Sequence, residues 1–597
     1  GADISGTTNL DAVDIDGAVN MATTLLVTGN VDFNGDLDVD GTANLDIVDV
    51  DGAANFAANV TFLDGADIIT ASAGTSNFRA GVNAGNSIAS GGNYNTVVGD
   101  EAGTAITTGD NNTLIGYVAG DALTAAFENT AVGESALGTD TLGRRTVAIG
   151  SGALQSQNFT TATNSYNVAV GFDAGILVTT GTENTLIGGI SGDALTNATG
   201  NTAVGYSSLT SDTLGSKSTA IGRSALATQN FTSATDSYNT AVGYQAGVAV
   251  TTGAYNTLIG GLAGDAITTA NNNTALGYAA LSTSTTGTQN VALGQSAATS
   301  LTTGGQNTAV GTNALNSNTT ASNNTAVGYQ AGYDNTTGAA NTFVGKESGA
   351  NNTTGQGNTF LGRASGLLNT TGSYNCFVGQ SASSGYASGY LITTGSKNTI
   401  LGAYNGNQGS LDIRTASNNI VLSDGDGNPR LYIDGSGNTF LGGATSGSAP
   451  SYYFAPDSGG GAFISVKDST NARTAFEFHN PNGTVGSITT SGSATAYNTS
   501  SDYRLKENVD YTWDATTRLK QLKPARFNFI ADADTTVDGF LAHEAQEIVP
   551  ECVTGTKDAV DDDGAAVLQG IDQSKLVPLL VKTIQELEAR ITALEGN

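Results

Sequence analysis

A short repeat with a fixed period is the feature that most constrains the fold of this chain. Each copy reads Asn-Thr, then an apolar residue, then Val, Ile or Leu, then Gly. Its Asn positions are Asn95, Asn112, Asn129, Asn167, Asn184, Asn201, Asn239, Asn256, Asn273, Asn290, Asn307, Asn324, Asn341, Asn358 and Asn375. The commonest step is 17 residues, as from Asn95 to Asn112 (112 − 95). A longer period of 72 residues, as from Asn112 to Asn184 (184 − 112), is nested inside the series. Fixed periods of this kind predict a solenoid, in which each unit buries its apolar face against its neighbours.

Divergent and late copies extend the repetitive region. We place Arg145 and Ser218 in the Asn position of two divergent copies, and Asn398 and Asn438 open late copies. The region therefore spans residues 75–445. Thr and the β-branched residues of each copy favour an extended strand, while Gly and the Thr-Thr-Gly segments supply turns. Each copy is predicted to add one short strand to a parallel β-roll or β-helix.

Two neighbouring apolar positions in each copy predict a second buried surface. Successive side chains of a strand point to opposite faces, so these two positions cannot share one core. One lines the inside of the coil, and the other needs a dry surface outside it. Three coils packed around a common axis would supply that surface, so the pattern favours a homotrimer.

The segments on either side of the roll have different patterns. Residues 1–70 alternate apolar and polar side chains between Asp-Gly turns, which predicts an N-terminal β shaft. Residues 446–500 lack the repeat and are predicted to form a β tip region. The aromatic residues of this tip are Tyr452, Tyr453, Phe454, Phe476 and Phe478. They are candidates for receptor contact, and packing within a small cap is the alternative.

Residues 501–597 are predicted to form a separate, small α+β domain. They contain 10 of the 22 Lys and Arg residues of the chain and show no copy of the short repeat. Apolar residues then recur at alternating steps of three and four, at Val577, Leu580, Ile584, Leu587, Ile591 and Leu594. This pattern is typical of a coiled-coil seam, here over residues 576–595. An amphipathic helix that packs on its own domain stays open as the alternative. The fold class is therefore mainly β, a trimeric fibre with a helical C-terminal end.

Composition excludes several classes of function. The chain has 22 basic and 53 acidic residues and a net charge of −31, so nucleic acid would be repelled. No apolar run approaches the roughly 20 residues of a membrane helix, so we expect no membrane insertion. Cys376 and Cys552 are each predicted to be small buried residues, because their separation suggests neither a disulfide framework nor a metal site. No metal and no cofactor are expected.

The central repeats resemble two families of fibrous proteins. They are similar to the head repeats of trimeric autotransporter adhesins, where an Asn-x-Ala-(Val/Ile)-Gly motif builds a left-handed parallel β-roll. They resemble equally the Asn-Thr-Ala-Val-Gly-Tyr-Gln-Ala-Gly repeats of phage fibres. Both resemblances imply a trimeric β-roll, and neither implies a particular ligand.

The C-terminal domain resembles a more specific family. Four motifs occur in order: SSDYRLKENV at Ser500–Val509, LKPARFNF at Leu522–Phe529, GFLAHEAQEIVPECV at Gly539–Val553 and KLVPLLVKTIQEL at Lys575–Leu587. Together they resemble the endosialidase-type intramolecular chaperone domain of phage tailspikes and tail fibres. The resemblance implies a trimerising chaperone that cuts its own chain immediately before the Ser of a Ser-Asp-x-Arg-x-Lys motif.

Carried over to this sequence, the resemblance assigns a Ser-Lys dyad. Ser501 would be the nucleophile, Lys506 the base and Ser500–Ser501 the scissile bond. A serine hydroxyl needs a base to take its proton, and a lysine can serve only when its amine is neutral. Because the ordinary pKa of lysine is about 10.4, burial or a neighbouring cation is required. Each chain would cut once, with no metabolic activity.

Three further residues are candidate auxiliaries of the dyad. Asp502 and Arg504 belong to the same motif as Ser501. His543 could assist at the site or have a structural hydrogen-bonding role, and the sequence leaves both open.

These expectations combine into one functional hypothesis. The chain is predicted to be a homotrimeric virion fibre for host attachment, assembled in the host cytoplasm. Its partners would be copies of itself, other virion proteins at the N-terminus, and a host receptor such as a glycan or an outer-membrane component. A bacterial surface trimeric adhesin and a glycan-depolymerising tailspike are the alternatives. Asp121, Asp193 and Asp265 recur at the longer period, which indicates repeated turns rather than a unique glycosidase carboxylate pair.

Overall fold

The computed structural model describes residues 72–380, 387–441, 451–455, 462–466, 473–481, 483–561 and 564–596. The shaft predicted for residues 1–70 lies outside this part of the chain. The chain divides into two units, Gly1–Gly200 and Asn201–Asn597.

The described part of the first unit is a parallel β-solenoid. Its strands are β1 (Phe78–Ala80), β2 (Thr96–Val98), β3 (Thr113–Ile115), β4 (Thr130–Val132), β5 (Gly143–Arg144), β6 (Val147–Ile149), β7 (Thr163–Asn164), β8 (Val168–Val170) and β9 (Thr185–Ile187). Seven of them stack in parallel register, β1 through β4 and then β6, β8 and β9. β5 and β7 form an additional parallel pair in the longer coil.

The second unit begins with the same architecture. Its first strands are β10 (Thr202–Val204), β11 (Gly215–Ser216), β12 (Thr219–Ile221), β13 (Thr235–Asp236), β14 (Thr240–Val242), β15 (Thr257–Ile259), β16 (Thr274–Leu276), β17 (Val291–Leu293), β18 (Thr308–Val310), β19 (Thr325–Val327), β20 (Thr342–Val344), β21 (Thr359–Leu361), β22 (Cys376–Val378), β23 (Thr399–Leu401), β24 (Asn407–Gln408), β25 (Leu411–Asp412) and β26 (Ile420–Ser423). Thirteen of the strands described in this unit stack in parallel, from β10 to β26. The mainly β, solenoid fold predicted from the repeat is confirmed.

Strand alternation separates an inner and an outer face in every coil. From β2 to β23, the middle residue of each three-residue strand points inward and is fully buried, as Leu114 and Leu186 are in the first unit. The third residue points outward, and the exposed fraction is 38% for Ile115 and 46% for Leu276. Each strand ends at a glycine, as at Gly277, where φ is +139° and a Cβ would lie 2.5 Å from a backbone carbonyl oxygen of the next coil. This close approach explains why the repeat ends in Gly.

The Asn of each copy forms a buried ladder that links consecutive coils. Asn112 donates its backbone N–H and its side-chain amide to the side-chain oxygen of Asn95, at 2.9 and 3.0 Å. The same amide also donates to the carbonyl oxygen of Ala126 at 3.0 Å. In the second unit Asn307 repeats this arrangement on Asn290. The ladder satisfies polar groups that are closed to water, and it explains why Asn recurs at a position of almost zero exposure.

The assignment of Arg145 to the Asn position is wrong by one residue. Val147 pairs with Thr130, so the ladder position falls on Thr146, whose backbone N–H donates to the side-chain oxygen of Asn129 at 3.0 Å. Val occupies the usual Thr position in this copy, which shifts the apparent alignment. Arg145 instead lies on the surface and pairs with a glutamate.

A glutamine from a longer loop completes the ladder where Asn is missing. In the first unit Gln157 donates to Asp140 at 2.7 Å and to the hydroxyl of Thr146 at 3.2 Å. It also accepts from the amide of Asn167 at 2.8 Å. Burial raises the pKa of Asp140 above its ordinary value. The second unit contains the same set one long period later, with Gln229 between Asp212 and Asn239.

Parallel stacking ends at β26, before the predicted end of the roll at residue 445. Asn419 takes the last ladder position and donates to Asn398 at 2.9 Å. The copy that begins at Asn438 differs from the prediction, because its strand pairs antiparallel with the preceding one. The strands that follow β26 are β27 (Pro429–Ile433), β28 (Thr439–Leu441), β29 (Ser451–Ala455) and β30 (Ala462–Val466), all antiparallel. A separate antiparallel sheet contains β31 (Arg473–Asn480), β32 (Gly483–Ser491) and β33 (Ala494–Thr499).

The C-terminal region is a small α+β structure with its own core. Its elements are α1 (Ala515–Leu519), β34 (Ala525–Phe529), β35 (Asp532–Gly539), α2 (Ala542–Ile548), β36 (Val553–Thr554), β37 (Gly570–Ile571) and α3 (Val577–Glu595), with short 3-10 turns at Tyr503–Leu505, Pro550–Cys552 and Gln573–Leu576. Buried residues from these elements form one cluster: Ala515, Leu522, Ala545, Val549, Cys552, Val553, Leu576 and Leu579. Cys552 is buried as predicted, whereas Cys376 is half-buried, and both thiols are free.

Helix α3 has two apolar faces with different surroundings. Leu579 and Thr583 are buried against the rest of the domain, and Glu586 binds the N-terminus of α1. The predicted seam residues, from Val577 to Leu594, are exposed. The helix therefore packs on its own domain through one face and leaves the seam without a partner in the single chain. The coiled coil stays a prediction. No described helix is both long and apolar enough to span a membrane.

Candidate active site

A short turn brings Lys506 onto Ser501. Ser501 follows β33, and the side chain of Asp502 caps the 3-10 turn Tyr503–Leu505 by accepting from the backbone N–H of Arg504 at 2.8 Å. The turn reverses the chain, so the side chains of residues 501 and 506 meet. The Nζ atom of Lys506 lies 2.7 Å from Oγ of Ser501. This is a hydrogen bond, and a nucleophile and its general base require the same separation.

Asp502 and Arg504 shape this turn and do not touch the dyad hydroxyl. The guanidinium of Arg504 forms two hydrogen bonds to the carboxylate of Asp502, at 2.8 and 2.9 Å. This pairing holds the pKa of Asp502 below its ordinary value. Both predicted auxiliaries are thus positioned to fix the backbone between Ser501 and Lys506.

The dyad opens into a cavity of about 480 Å³. The cavity is lined by the chain around the scissile bond (Thr499, Ser500, Ser501 and Lys506), by apolar side chains (Trp513, Val549, Pro578 and Leu579) and by polar side chains (Arg518, Glu551, Ser574 and Lys575). These walls come from α1, the end of α2, the turn before α3, and α3 itself. Residues from several separate elements of the C-terminal region therefore surround the Ser500–Ser501 bond, and two of them, Val549 and Leu579, also belong to its core.

Ser501 and Lys506 are both exposed in the single chain. Water can therefore reach the Ser500–Ser501 bond, and hydrolysis of an ester at that position would require this access. Within the described residues no cluster of His, Cys, Asp and Glu could hold a metal ion.

His543 lies elsewhere in the domain. It is the second residue of α2 and is half-buried, and it does not line the cavity at Ser501. The candidate receptor residues fall on two sheets. Tyr452, Tyr453 and Phe454 are consecutive in β29, whose side chains are not described. Phe476, half-buried, and Phe478, 54% exposed, lie in β31.

The sequence motifs do not point to several residues that surround the dyad. Trp513, Arg518 and Lys575 line the cavity but lie in other motifs or between motifs. Only the Lys575 position falls inside a recognisable motif, and nothing in that motif links it to Ser501. Their proximity depends on tertiary packing, which a periodic pattern does not report.

Comparison with known proteins identifies the segment that contains the dyad. Residues 501–554 match the family model described as the chaperone of endosialidase. The match begins at Ser501 and includes Lys506. No curated protein and no solved structure matches the chain significantly. A β-solenoid followed by this chaperone segment fits a protein of the tail-fibre or tailspike type.

Proposed function

We propose that this chain is the subunit of a homotrimeric virion fibre whose C-terminal domain assists folding and then cuts itself off. The observation that carries the proposal is the 2.7 Å contact between Lys506 Nζ and Ser501 Oγ. The contact lies at the first residues of the segment that matches the chaperone family, directly after the β structure.

The cut follows from the arrangement of these groups. Lys506 takes the proton of the Ser501 hydroxyl, and Oγ of Ser501 attacks the carbonyl carbon of Ser500. The C–N bond between the two serines breaks, and the proton passes from the lysine to the released amine. The resulting ester joins the Ser500 carbonyl to Oγ of Ser501. Water hydrolyses that ester, leaving a carboxylate at Ser500 and a free amine and hydroxyl on Ser501.

The homotrimer is supported by two apolar surfaces that lack a partner in one chain. The outward residues of the coils form the first, with Leu276 46% and Leu401 42% exposed. The α3 seam forms the second, with Ile584 63% and Leu594 77% exposed. Copies of the same chain suit both surfaces as the covering partner. Identical coils and identical seams match in register when the chains lie side by side.

Host attachment is proposed from the architecture of the whole chain. A repetitive solenoid followed by a non-repetitive segment is the order of elements expected of a fibre that carries a tip. A removable chaperone suits a fibre whose chains assemble only once. After the cut, no template remains for rewinding the chains, so unfolding becomes effectively irreversible. The receptor is proposed to contact the aromatic tip region.

Two substitutions test the proposed cut. Ser501→Ala and Lys506→Ala should each give folded chains that stay at full length, because one lacks the nucleophile and the other the base. Lys557→Ala, an exposed lysine outside the cavity, should be cut normally. Cleavage is read as the mass of the purified products. Cleavage of the Ser501→Ala chain at the same bond would contradict the assignment of Ser501 as nucleophile and Lys506 as base.

Deleting residues 501–597 tests the chaperone role separately. The truncated chain should aggregate or misfold, because the trimerising segment is absent during folding. A truncated chain that folds to the same thermal stability as the processed fibre would show that the domain is not needed for folding.

A further inference from the structure

Two hydrogen bonds hold the residues on either side of the Ser500–Ser501 bond. After the bond, Oγ of Ser501 lies 2.7 Å from Nζ of Lys506. Before the bond, the backbone N–H of Ser500 donates to the carbonyl oxygen of Val485 in β32 at 3.1 Å. The peptide group that would react therefore lies between a contact within the C-terminal region and a contact with the sheet that precedes it.

Pairing with β32 keeps the residues before the bond extended. The whole of β33 pairs antiparallel with β32, and Thr499 lies opposite Gly486. The hydrogen bond of Ser500 continues this pairing by one residue, up to the bond itself. Every residue of β33 is exposed in the single chain. In one chain, hydrogen bonds to β32 therefore hold this strand, because burial does not.

Two residues make the pairing close next to the bond. The side-chain amide of Asn498 donates to Oγ of Ser487 at 3.2 Å and to Oγ1 of Thr489 at 2.9 Å, which joins β33 to β32. Gly486 leaves the space for this approach, because a Cβ at that position would lie 3.1 Å from the carbonyl oxygen of Asn498. A larger side chain at position 486 would therefore push the end of β33 away from β32.

The orientation of the Ser500 carbonyl matters for the proposed attack. Rotation about the backbone of Ser500 changes the direction of its carbonyl group even while Lys506 holds the hydroxyl of Ser501. The hydrogen bond from Ser500 to Val485 restricts this rotation. Misplacing reacting atoms by about 1 Å can slow a reaction about 100-fold, so a restriction of this kind has a large effect on rate.

We propose, on the basis of the self-cleavage proposed above, that β32 is the positioning strand of the cut. Val485 and Gly486 of β32, with Asn498 of β33, keep the Ser500 carbonyl in one orientation relative to the Ser501 hydroxyl. These three residues act through the backbone of Ser500, so they are positioning residues. The cut then depends on a strand that precedes residues 501–554, the segment that matches the chaperone family.

The test measures the rate of the cut in full-length chains that have folded. Chains are pulse-labelled in cell-free synthesis, the folded fraction is isolated by size exclusion, and its conversion is followed by mass. Gly486→Val crowds β33, and Asn498→Ala removes the two side-chain hydrogen bonds. Thr495→Val is the matched control, because it introduces valine near the opposite end of β33. Asn498→Asp is the conservative variant, because its carboxylate can accept from the hydroxyls of Ser487 and Thr489.

Hydrogen exchange shows whether each substitution releases the strand. In the uncut Ser501→Ala chain, residues 496–500 should exchange faster once Gly486→Val or Asn498→Ala is added. Thr495→Val should leave their exchange unchanged. Faster exchange combined with cutting at the wild-type rate would overturn the proposal, and so would unchanged exchange in both Gly486→Val and Asn498→Ala.

The expected result is folded chain that accumulates uncut. Gly486→Val and Asn498→Ala should reach the wild-type yield of folded chain and cut about tenfold more slowly. Asn498→Asp and Thr495→Val should cut at about the wild-type rate. A purely structural role would instead lower the yield of folded chain and leave its rate of cutting unchanged, which would also overturn the proposal. Failure of the proposed function is distinguishable, because then the wild-type chain itself would stay uncut.

Discussion

At the scale of single residues, the Asn ladder explains why a chain with few charged residues tolerates so many buried polar groups. Most ladder oxygens accept from a backbone N–H of the next coil, and several also accept from its side-chain amide, as Asn290 does from Asn307. Most buried donors at that position therefore have a partner, and the side-chain amide of Asn324 is an exception. The sequence predicts this position from its strict recurrence. It does not predict that Thr146 takes the Asn position in one copy. Gln157, which completes the hydrogen bonds there, comes from a loop of different length.

Replacing one ladder residue should weaken its coil strongly. In Asn307→Ala, the backbone N–H of Asn324 and the carbonyl of Ala321 each lose a side-chain partner. Leaving buried polar groups unsatisfied costs about 1–3 kcal/mol each. Hydrogen exchange of the neighbouring coils should therefore accelerate in the assembled protein.

The adjacent exposed residue provides the control for this ladder test. Gln306→Ala removes only a solvent-exposed hydrogen bond to Gln289 of the preceding coil and should change exchange far less than Asn307→Ala does. Equal protection in Asn307→Ala and the wild-type chain would show that the ladder contributes little stability.

At the scale of elements, α3 connects three parts of the C-terminal domain. Its start lines the cavity, its inner face completes the core, and Glu586 caps α1 through the N–H groups of Ala515 and Thr516. The spacing of apolar residues predicts the helix and its seam. It does not predict the cap or the cavity walls, because those contacts join segments that are distant in sequence and carry no periodic signal.

The cap by Glu586 should depend on pH. The hydroxyl of Thr516 and two backbone N–H groups donate to its carboxylate and lower its pKa from 4.5. A carboxyl with a lowered pKa in the folded chain stabilises the fold above its unfolded pKa, and this contribution is lost as the pH falls through the folded value. Exchange of residues 514–520, corrected for its intrinsic rate, should therefore increase below about pH 4 in the uncut Ser501→Ala chain.

Two Glu→Gln substitutions on α3 distinguish the loss of this cap from a general effect of removing a negative charge. Added to Ser501→Ala, Glu586→Gln should raise exchange of residues 514–520 already at pH 7 and reduce its dependence on pH. Glu588→Gln, an exposed residue two positions later, should behave as the parent chain does. Identical exchange in the two glutamine variants would contradict the assigned cap.

At the scale of the whole molecule, the proposed trimer covers apolar surfaces that one chain leaves exposed. The outward residues of the coils and the α3 seam are the two surfaces concerned, and both follow from patterns that the sequence displays. The strand pattern predicts an outer apolar row, and Ile115 and Leu276 lie in it. The sequence of one chain does not show what covers that row, because in the proposed trimer the covering atoms belong to other copies of the chain.

The uncut Ser501→Ala chain should be a trimer at micromolar concentration. Light scattering should give three times the chain mass of 59.8 kDa. Ile584→Asp, which places a charge in the exposed seam, should reduce the fraction of trimer recovered after synthesis, whereas Arg590→Asp outside the seam should not. A monomer mass for the Ser501→Ala chain would refute the assembly.

The central claim is that this chain cuts itself once, between Ser500 and Ser501. Intact-mass analysis of the purified wild-type protein, with N-terminal sequencing of the smaller product, tests it directly. We predict a fibre chain that ends at Ser500 and a fragment that runs from Ser501 to Asn597. A wild-type chain recovered at full length, or a fragment that begins at any residue other than Ser501, would contradict it.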